Sequence, residues 1–405
     1  MNQVVKKILG ESKPYKEADF LESIFGSYSE AAISGKLPVV LFGAGAGGLE
    51  LYPNMVLHGV HPVCFCDNNT SRVGTTCAGI PVISFEALNR NHMGELIVVA
   101  TNVFLKEIKE KLLANGFPED KILSVGDPRT FYYMFFFNHH LTMDELYVNE
   151  GLICEIYNLL ADQDSKDIFI KRMALFSQGA DYSAFQEFLH LVAKVPPGNP
   201  SSIEGYMYYN NDLIHLREGE VLVDAGAYPG DSVEEFVKAC ERSNVKYNDI
   251  YCFEPDLENH KTLLKNVLAY RNVTCFQSGL WSSAATLRFF SSAQIEAGAC
   301  RIIDCQADII PKTTDSEIKV VSLDEQIGDK NITLIKMDIE GSEIEALYGS
   351  ANIIKKNRPR LIISVYHKKD DLYMIPILVH RLRPDYKLYL RHLNVTLYDT
   401  VLIAI

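Results

Sequence analysis

Three acidic residues in the second half of the sequence each close a short apolar stretch. They are Asp224, Glu254 and Asp338. Short apolar runs separated by helix-like segments predict parallel strands joined by crossover connections. Because ligands bind such sheets beyond the carboxyl ends of the strands, we expect the three carboxylates to share one edge and one pocket.

A glycine turn follows the first of these predicted strands, with the pattern Asp224-x-Gly226-x-x-x-Gly230. Gly226 permits a tight turn and lets a ligand lie against bare backbone. Gly230 opens a helix predicted over 232–240, whose free N–H groups would face the pocket. Glu254 lies thirty residues after Asp224 (254 − 224), which suits one strand–helix–strand unit with a carboxylate for a ribose diol.

Four motifs in this half of the chain are distinctive enough to compare with a known family. They are Val-Asp-Ala-Gly-Ala-Tyr-Pro-Gly-Asp-Ser from Val223, Phe-Glu-Pro-Asp from Phe253, Ile-Lys-Met-Asp-Ile-Glu-Gly-Ser-Glu from Ile335, and Arg-Pro-Arg-Leu-Ile-Ile-Ser-Val-Tyr-His from Arg358. Together they resemble the FkbM family of S-adenosylmethionine-dependent methyltransferases over residues 216–405. The resemblance implies a seven-stranded class I methyltransferase sheet with a terminal antiparallel hairpin.

The resemblance also implies which residues hold S-adenosylmethionine, and all of them lie at strand ends or in the turns that follow. They are Asp224 under the methionine part, Gly226, Tyr228, Gly230 and Asp231 in the glycine turn, Glu254 at the ribose, Ser278 at the adenine, and Asp338 and Glu340 beside the reactive methyl.

Two of the residues near the methyl group are candidates for catalysis. Transfer to an alcohol requires an aligned nucleophile and help in removing a proton. His367 ends the fifth predicted strand and titrates near neutrality, which suits a general base. Asp338 could orient the acceptor or act as a base. Alternatively, it is a structural carboxylate that binds N–H groups of the helix predicted over 341–347.

A second glycine-rich turn lies in the first half of the chain. Residues 37–43 predict a strand that runs into Gly43-x-Gly45-x-x-Gly48, and Asp67 ends the next predicted strand nineteen residues after Gly48 (67 − 48). In that setting the pattern is typical of a Rossmann-like site for a nucleotide or nucleotide-sugar. The alternative is that the glycines only let helix and strand pack closely and bind nothing.

Hydrophobic periodicity and turn residues divide the chain into three parts. Residues 1–140 predict a Rossmann-like domain, residues 141–215 a helical connector with a Pro/Gly cluster at 196–200, and residues 216–405 the FkbM-like methyltransferase domain. The predicted fold class is therefore α/β, with two Rossmann-like domains joined by helices.

The strands predicted within these domains are short apolar runs. In the first domain they are 37–43, 63–66, 95–101 and 121–125, and in the last domain they are 220–224, 249–254, 272–277, 331–338 and 360–366, an extra pair at 286–290 and 318–322, and a final hairpin at 386–393 and 396–405.

Composition limits the partners and the compartment. A formal net charge of −13 disfavours a nucleic-acid backbone as the main partner. The nine cysteines are scattered without zinc-ligand spacing, which predicts no metal site and a reduced, cytoplasmic protein. No apolar run approaches the length of a membrane span. The aromatic run at 131–137 favours burial at a domain or subunit interface, so the sequence is compatible with a homo-oligomer.

Two functions from different classes follow from these patterns. The first is an O-methyltransferase that acts on a hydroxyl of a small molecule or glycan, with a carbohydrate favoured because of the nucleotide-sugar-like first domain. The alternative is a nucleotide- or nucleotide-sugar-responsive binding or assembly protein whose methyltransferase domain is catalytically idle.

Overall fold

The structure, a computed structural model, describes most of the 405 residues. The described residues are 2–12, 17–101, 104–127, 129–130, 132–133, 140–177, 182–192, 208–209, 211–290, 315–393 and 398–405. The Pro/Gly cluster at 196–200 and most of the aromatic run at 131–137 lie outside them.

Helices in the described residues are short to medium in length. They are α1 Gln3–Glu11, α2 Glu17–Phe25, α3 Ser29–Ile33, α4 Ala46–Leu57, α5 Phe85–Asn91, α6 Leu105–Ala114, α7 Met143–Val148, α8 Glu150–Leu159, α9 Gln163–Phe176, α10 Tyr182–Val192, α11 Asp231–Arg242, α12 Leu257–Asn266, α13 Leu323–Ile327, α14 Glu343–Tyr348, α15 Ala351–Asn357 and α16 Asp371–Leu382. Within the part of the chain that the structure describes, none of them has the length and apolar character to cross a bilayer.

Strands in the described residues form three sheets. They are β1 Val39–Phe42, β2 Cys64–Cys66, β3 Thr76–Cys77, β4 Ile80–Ile83, β5 Leu96–Val99, β6 Ile122–Ser124, β7 Glu220–Ala225, β8 Tyr247–Phe253, β9 Val273–Phe276, β10 Gly279–Leu280, β11 Ala285–Phe290, β12 Asp315–Val321, β13 Leu334–Met337, β14 Arg360–Ser364, β15 Leu388–His392 and β16 Thr400–Ala404.

The N-terminal sheet has six strands in the order β3-β4-β2-β1-β5-β6. All neighbours are parallel except β3 and β4. The four strands predicted here are confirmed as β1, β2, β5 and β6, but β3 and β4 were missed. Pro81 interrupts the short β4 run, and proline weakens a sequence signal for a strand even where it is tolerated.

The C-terminal sheet has seven strands in the order β15-β16-β14-β13-β7-β8-β9. Strand β16 lies between β14 and β15 and is antiparallel to both, whereas the other pairs are parallel. The predicted seven-stranded sheet with a terminal antiparallel hairpin is therefore confirmed. Every residue of β7, β13, β14 and β16 is buried, which is why these strands are visible as continuous apolar runs.

A small third sheet has the order β10-β12-β11, and its antiparallel pair β11–β12 is the predicted extra pair. Trp281 follows β10 and packs against the buried side chains of Ile318 and Val320. Its contacts are those of a core residue.

The helices that follow residue 140 cover the edge of the C-terminal sheet. The Ala161 N–H donates to the Leu388 carbonyl (2.9 Å), and the Leu390 N–H donates to Ser165 Oγ (2.9 Å). These bonds use backbone groups that edge strand β15 would otherwise leave open. Helix α1 packs along α8 and α9, with Lys171 paired to Glu11 at 3.0 Å. The domain boundaries at 140 and 215 stay predictions.

Candidate methyl-transfer site

The centre of the C-terminal sheet brings three strand ends to one level. Strands β13, β7 and β8 are parallel neighbours in register, and the next residues along them are Asp338, Gly226 and Glu254. The Asp338 N–H donates to the Ala225 carbonyl (3.1 Å), and the Gly226 N–H donates to the Phe253 carbonyl (3.0 Å). Glu254 and Asp338 therefore reach one edge of the sheet, but Asp224 lies two residues inside β7 and does not, so the edge expected for three carboxylates holds two of them.

Gly226 is required by the contact between two of these strand ends. Its φ is +75°, and a Cβ there would lie 1.8 Å from the Asp338 carbonyl oxygen. No side chain fits at that distance, so the loops after β7 and β13 approach as closely as backbone allows. The expectation that Gly226 lies bare against a ligand is corrected on this side, because the neighbouring loop fills the space.

The rest of the glycine turn leads directly into the first residues of α11. Gly230 has φ +98° and precedes the first helical residue, and Asp231 Oδ1 accepts the Ser232 N–H at 2.9 Å. Tyr228 also has a positive φ, +44°, and its side chain is exposed. Since that backbone conformation is strained for a tyrosine, other contacts must hold it, and one is the bond from its N–H to Glu254 Oε2 (3.0 Å).

Glu254 is a buried carboxylate that fastens two turns. Besides Tyr228, it binds the Asp256 N–H through Oε1 at 2.9 Å. Burial raises the pKa of Glu254 to about 7, although both backbone bonds act to lower it. Each carboxylate oxygen can accept a further hydrogen bond, so the group keeps acceptor capacity for a ribose diol. Its role at a ribose stays a prediction.

Asp224 lies below the site and is fully buried. Its Oδ2 accepts the Ser232 hydroxyl (2.6 Å), and its Oδ1 lies 3.1 Å from Lys336 Nζ. Burial raises the pKa of Asp224 even though Lys336 opposes the shift. The residue was expected beside the methionine part of the cofactor; the structure instead gives it a structural pairing and no surface for direct ligand contact.

Lys336 connects that buried pair to the glycine turn. Its ammonium is buried and pairs with the Asp224 carboxylate. Its Nζ also donates to the Gly226 carbonyl at 2.8 Å. A single buried ammonium therefore sets the position of the turn from beneath.

Asp338 is held by two tyrosine hydroxyls. Tyr208 donates to Oδ2 (2.9 Å) and Tyr366 donates to Oδ1 (3.0 Å). Burial raises its pKa, but His367 and Lys336 outweigh burial and keep the pKa below its ordinary value. Among the described residues no side chain, that of Asp338 included, caps the following helix. The Ile339 N–H, in the loop before that helix, donates to Glu343 Oε1 at 3.0 Å.

His367 lies among three carboxylates with its side chain only 8% exposed. Its Nδ1 is 3.0 Å from Glu343 Oε1, and its Nε2 is 3.3 Å from Asp338 Oδ1 and 3.5 Å from Glu340 Oε2. Burial lowers its pKa, but the carboxylates, led by Glu343, raise the pKa to about 10. A histidine that is protonated at neutral pH has no lone pair for a proton, so these surroundings argue against the expected general base.

Several site residues were missed in the sequence. Glu343 had a signal, because it continues the Asp-x-Glu-x-x-Glu spacing that begins at Asp338, and Tyr366 directly precedes His367. Tyr208 had none, since its contact spans 130 residues of chain. The ligand atoms of Asp338, Glu343 and His367 all lie within 4.8 Å of one another, close enough to hold a metal ion. Ser278 is buried just after β9, and its role at an adenine stays a prediction.

Residues 224–387 match the family described as the methyltransferase FkbM domain. This part of the chain is an FkbM methyltransferase domain. A crystal structure of methyltransferase FkbM from Methylobacillus flagellatus KT is similar over 99% of this chain and 98% of its own, with 20% sequence identity and a TM-score of 0.55. At that identity the likeness concerns the fold alone. Residues 35–123 match the family described as C2185-like, N-terminal.

Other solved structures resemble about half of the chain. Aeropyrum pernix fibrillarin with natively bound S-adenosyl-L-methionine has 13% identity over 48% of this chain and 70% of its own, with a TM-score of 0.29. SMU.1697c from Streptococcus mutans in complex with SAH has 13% identity over 47% and 90%, with a TM-score of 0.27. Likenesses at these TM-scores add nothing to the assignment. No curated protein matches the sequence.

Outside the FkbM domain, the N-terminal glycine turn is explained by packing. A Cβ on Gly48 would lie 1.9 Å from the Gly43 carbonyl oxygen, and one on Gly47 would lie 2.3 Å from the Ala100 carbonyl oxygen. Gly45 precedes the first residue of α4. The absence of side chains at Gly47 and Gly48 lets α4 lie directly on the ends of β1 and β5, as the packing alternative required.

Asp67 is likewise used within the protein. Its Oδ2 accepts the Ala44 N–H (2.8 Å) and faces Arg72 Nη1 (3.2 Å), while its Oδ1 accepts the Asn69 N–H (2.7 Å). The carboxylate thereby holds the glycine turn closed against β2. A nucleotide or nucleotide-sugar at Gly43, Gly45, Gly48 and Asp67 is not supported.

Proposed function

We propose that this protein transfers the methyl group of S-adenosylmethionine to a hydroxyl of a small molecule or glycan, with a carbohydrate as the favoured acceptor. The observation that supports it best is the common level of Gly226, Glu254 and Asp338 at the centre of the seven-stranded sheet. A glycine turn, a ribose-binding acid and an acidic group beside the acceptor are the three parts that the reaction needs.

The residues at this edge fit the donor. Glu254 keeps acceptor capacity for ribose hydroxyls, the first N–H groups of α11 follow the turn, and Tyr228 in the turn has an exposed side chain. When bound, S-adenosylmethionine supplies a methyl group that is already activated by its positively charged sulfur. The carboxylates of Asp338 and Glu340 suit that charge.

The acceptor side carries groups that can orient and deprotonate a hydroxyl. Two tyrosine hydroxyls fix the Asp338 carboxylate, which accepts a hydrogen bond from the acceptor. Glu340 is 32% exposed and lies next to it, so it can take the hydroxyl proton and pass it to water. His367, whose pKa the surrounding carboxylates raise to about 10, lies between these acids.

A carbohydrate is favoured by the chemistry at the rim of this side. Carboxylates accept hydrogen bonds from several hydroxyls at once, and Tyr398 adds an exposed ring 5.8 Å from the ring of Tyr366. Tyr398 is 41% exposed, so its burial is only partial, and this partial burial and the charges of Glu50 and Glu340 raise its pKa. Glu50 belongs to α4, so we expect the N-terminal region to lie near the bound acceptor.

Calorimetric titration of the purified chain with S-adenosylmethionine tests the proposal. We expect saturable binding, and then transfer of a labelled methyl group to members of a panel of sugars and small alcohols. Absence of donor binding to the wild-type protein would remove the proposal, and transfer only to non-carbohydrate alcohols would remove the carbohydrate. The idle-domain alternative rested on the N-terminal glycine turn, whose glycines packing explains.

A further inference from the structure

We infer that Asp338, Glu343 and His367 form a binding site for a divalent transition-metal ion of the Mn²⁺ type, at the acceptor side of the FkbM domain. The ligand atoms of these three residues lie within 4.8 Å of one another. They come from three separate elements, since Asp338 follows β13, His367 follows β14 by three residues and Glu343 begins α14.

Two pairs of these atoms lie about as far apart as adjacent ligands of one ion, but the pairs use different ring nitrogens of His367, so only one of them can be a pair of ligands. His367 Nε2 lies 3.3 Å from Asp338 Oδ1, and His367 Nδ1 lies 3.0 Å from Glu343 Oε1. Metal–ligand bonds of about 2.1 Å place adjacent octahedral ligands about 3.0 Å apart. Only one ring nitrogen binds the ion; the other then donates its N–H to a carboxylate, as metal-bound histidines commonly do.

Glu343 supplies a second, independent observation. Its side chain is only 1% exposed, yet among the described residues its Oε2 has no hydrogen-bond donor. The other oxygen of the same carboxylate faces His367. A buried carboxylate oxygen without a donor is costly, and a bound cation would remove that cost.

The site is closed on one side and open on the other. Glu343 is buried, whereas Asp338 and Glu340 are 17% and 32% exposed. Two carboxylates and one imidazole would thus leave coordination positions for water or for a hydroxyl, with Glu340 at the rim. Carboxylates suit Mn²⁺, and the imidazole disfavours Ca²⁺ and Mg²⁺ relative to transition metals. The tyrosine bonds to Asp338 would orient one ligand from outside.

One consequence rests on the proposed function. A hydroxyl bound to the ion at the open side loses its proton to water more readily, because a divalent cation lowers the pKa of oxygen ligands. The ion would replace the proton on one ring nitrogen of His367, because an imidazole binds a metal ion only through an unprotonated nitrogen.

The inference is tested on the full chain with MnCl₂ alone, with no methyl donor or acceptor present. We expect electron paramagnetic resonance to show loss of the free Mn²⁺ signal with a stoichiometry of one ion per chain. Glu343→Gln and Asp338→Asn should each weaken this binding by about 100-fold or more, because the loss of a group that only orients a ligand already costs about 10- to 100-fold. Glu345→Gln removes the same charge from the same helix and should bind like wild type.

Wild-type protein that leaves the free Mn²⁺ signal unchanged at millimolar ion would overturn the inference, whether or not any variant folds. Equal weakening by Glu345→Gln would also overturn it, since the effect would then be general electrostatics. The donor titration is a separate experiment. Donor binding without Mn²⁺ binding defeats only the metal site, and Mn²⁺ binding without donor binding defeats only the proposed function.

Discussion

At the scale of single residues, burial decides what each carboxylate of the FkbM domain can do. Asp224 and Glu254 both stand at strand ends in the sequence, but Asp224 is paired with a buried lysine and Glu254 keeps acceptor capacity. Asp338 stays ionised because two cations face it, whereas burial brings the pKa of Glu254 to about 7. Similar sequence positions therefore give different chemistry.

Glu254 gives a pH-dependence that can be measured. Below about pH 7 it is protonated, which removes acceptor positions that ribose hydroxyls use, so the affinity for S-adenosylmethionine should fall as the pH is lowered from 8 to 6. Glu254→Gln mimics the protonated group, and we expect it to bind roughly tenfold more weakly at pH 8, with little further change at pH 6.

Calorimetry at both pH values checks this, with Glu258→Gln as the control on the exposed face of α12. The control should keep the wild-type trend. If Glu254→Gln keeps it too, the ribose assignment is wrong, and another group causes the pH effect.

At the scale of elements, two glycines lie where one backbone segment packs directly against another. Gly226 lies against the loop after β13, and Gly48 lies against the loop after β1. Both were found in the sequence as possible ligand-binding turns. In the structure, the space that a Cβ would occupy at each of these glycines is filled by the backbone of a neighbouring loop. Close packing therefore explains why each position is a glycine.

A pair of alanine substitutions tests this at the N-terminal turn. Gly48→Ala places a methyl group 1.9 Å from the Gly43 carbonyl oxygen, so α4 must shift and we expect a loss of about 1–3 kcal/mol in the free energy of unfolding. Gly151→Ala, in α8 with open space around it, should instead gain up to about 1 kcal/mol.

Urea denaturation of both variants gives the comparison. The packing interpretation requires that Gly48→Ala lowers the free energy of unfolding and that Gly151→Ala raises it. A Gly48→Ala protein as stable as wild type would mean that α4 does not rest on the turn as described.

At the scale of the whole molecule, the helices after residue 140 are attached to the FkbM sheet by side chains as well as by edge-strand bonds. Arg391 of β15 lies 2.8 Å from both Asp162 and Asp212 through Nη2. Asp162 also caps α9, where it accepts the Ser165 N–H at 2.8 Å. One guanidinium thus joins the start of α9, the edge strand and the segment that leads into β7.

Removing that guanidinium should loosen the assembly. We expect Arg391→Gln to cost about 1–2 kcal/mol, because its bonds are charge-assisted but both acids are partly exposed. Lys261→Gln breaks an exposed pair with Glu258 and should change stability little. Thermal unfolding of the two variants tests this prediction. Equal unfolding midpoints would show that Arg391 does not stabilise the contact between these elements.

The sequence by itself determined the strands of both sheets, apart from the short β3 and β4, because buried parallel strands are continuous apolar runs. It also predicted Asp224, Glu254 and Asp338 at one sheet edge, since parallel strands end on the same side, and this holds for Glu254 and Asp338 but not for Asp224. Only the tertiary structure decided that Asp224 is buried, that three carboxylates surround His367 and that Tyr208 reaches Asp338. Pairing and proton affinity depend on groups brought together from distant parts of the chain, and spacing along the chain does not encode those contacts.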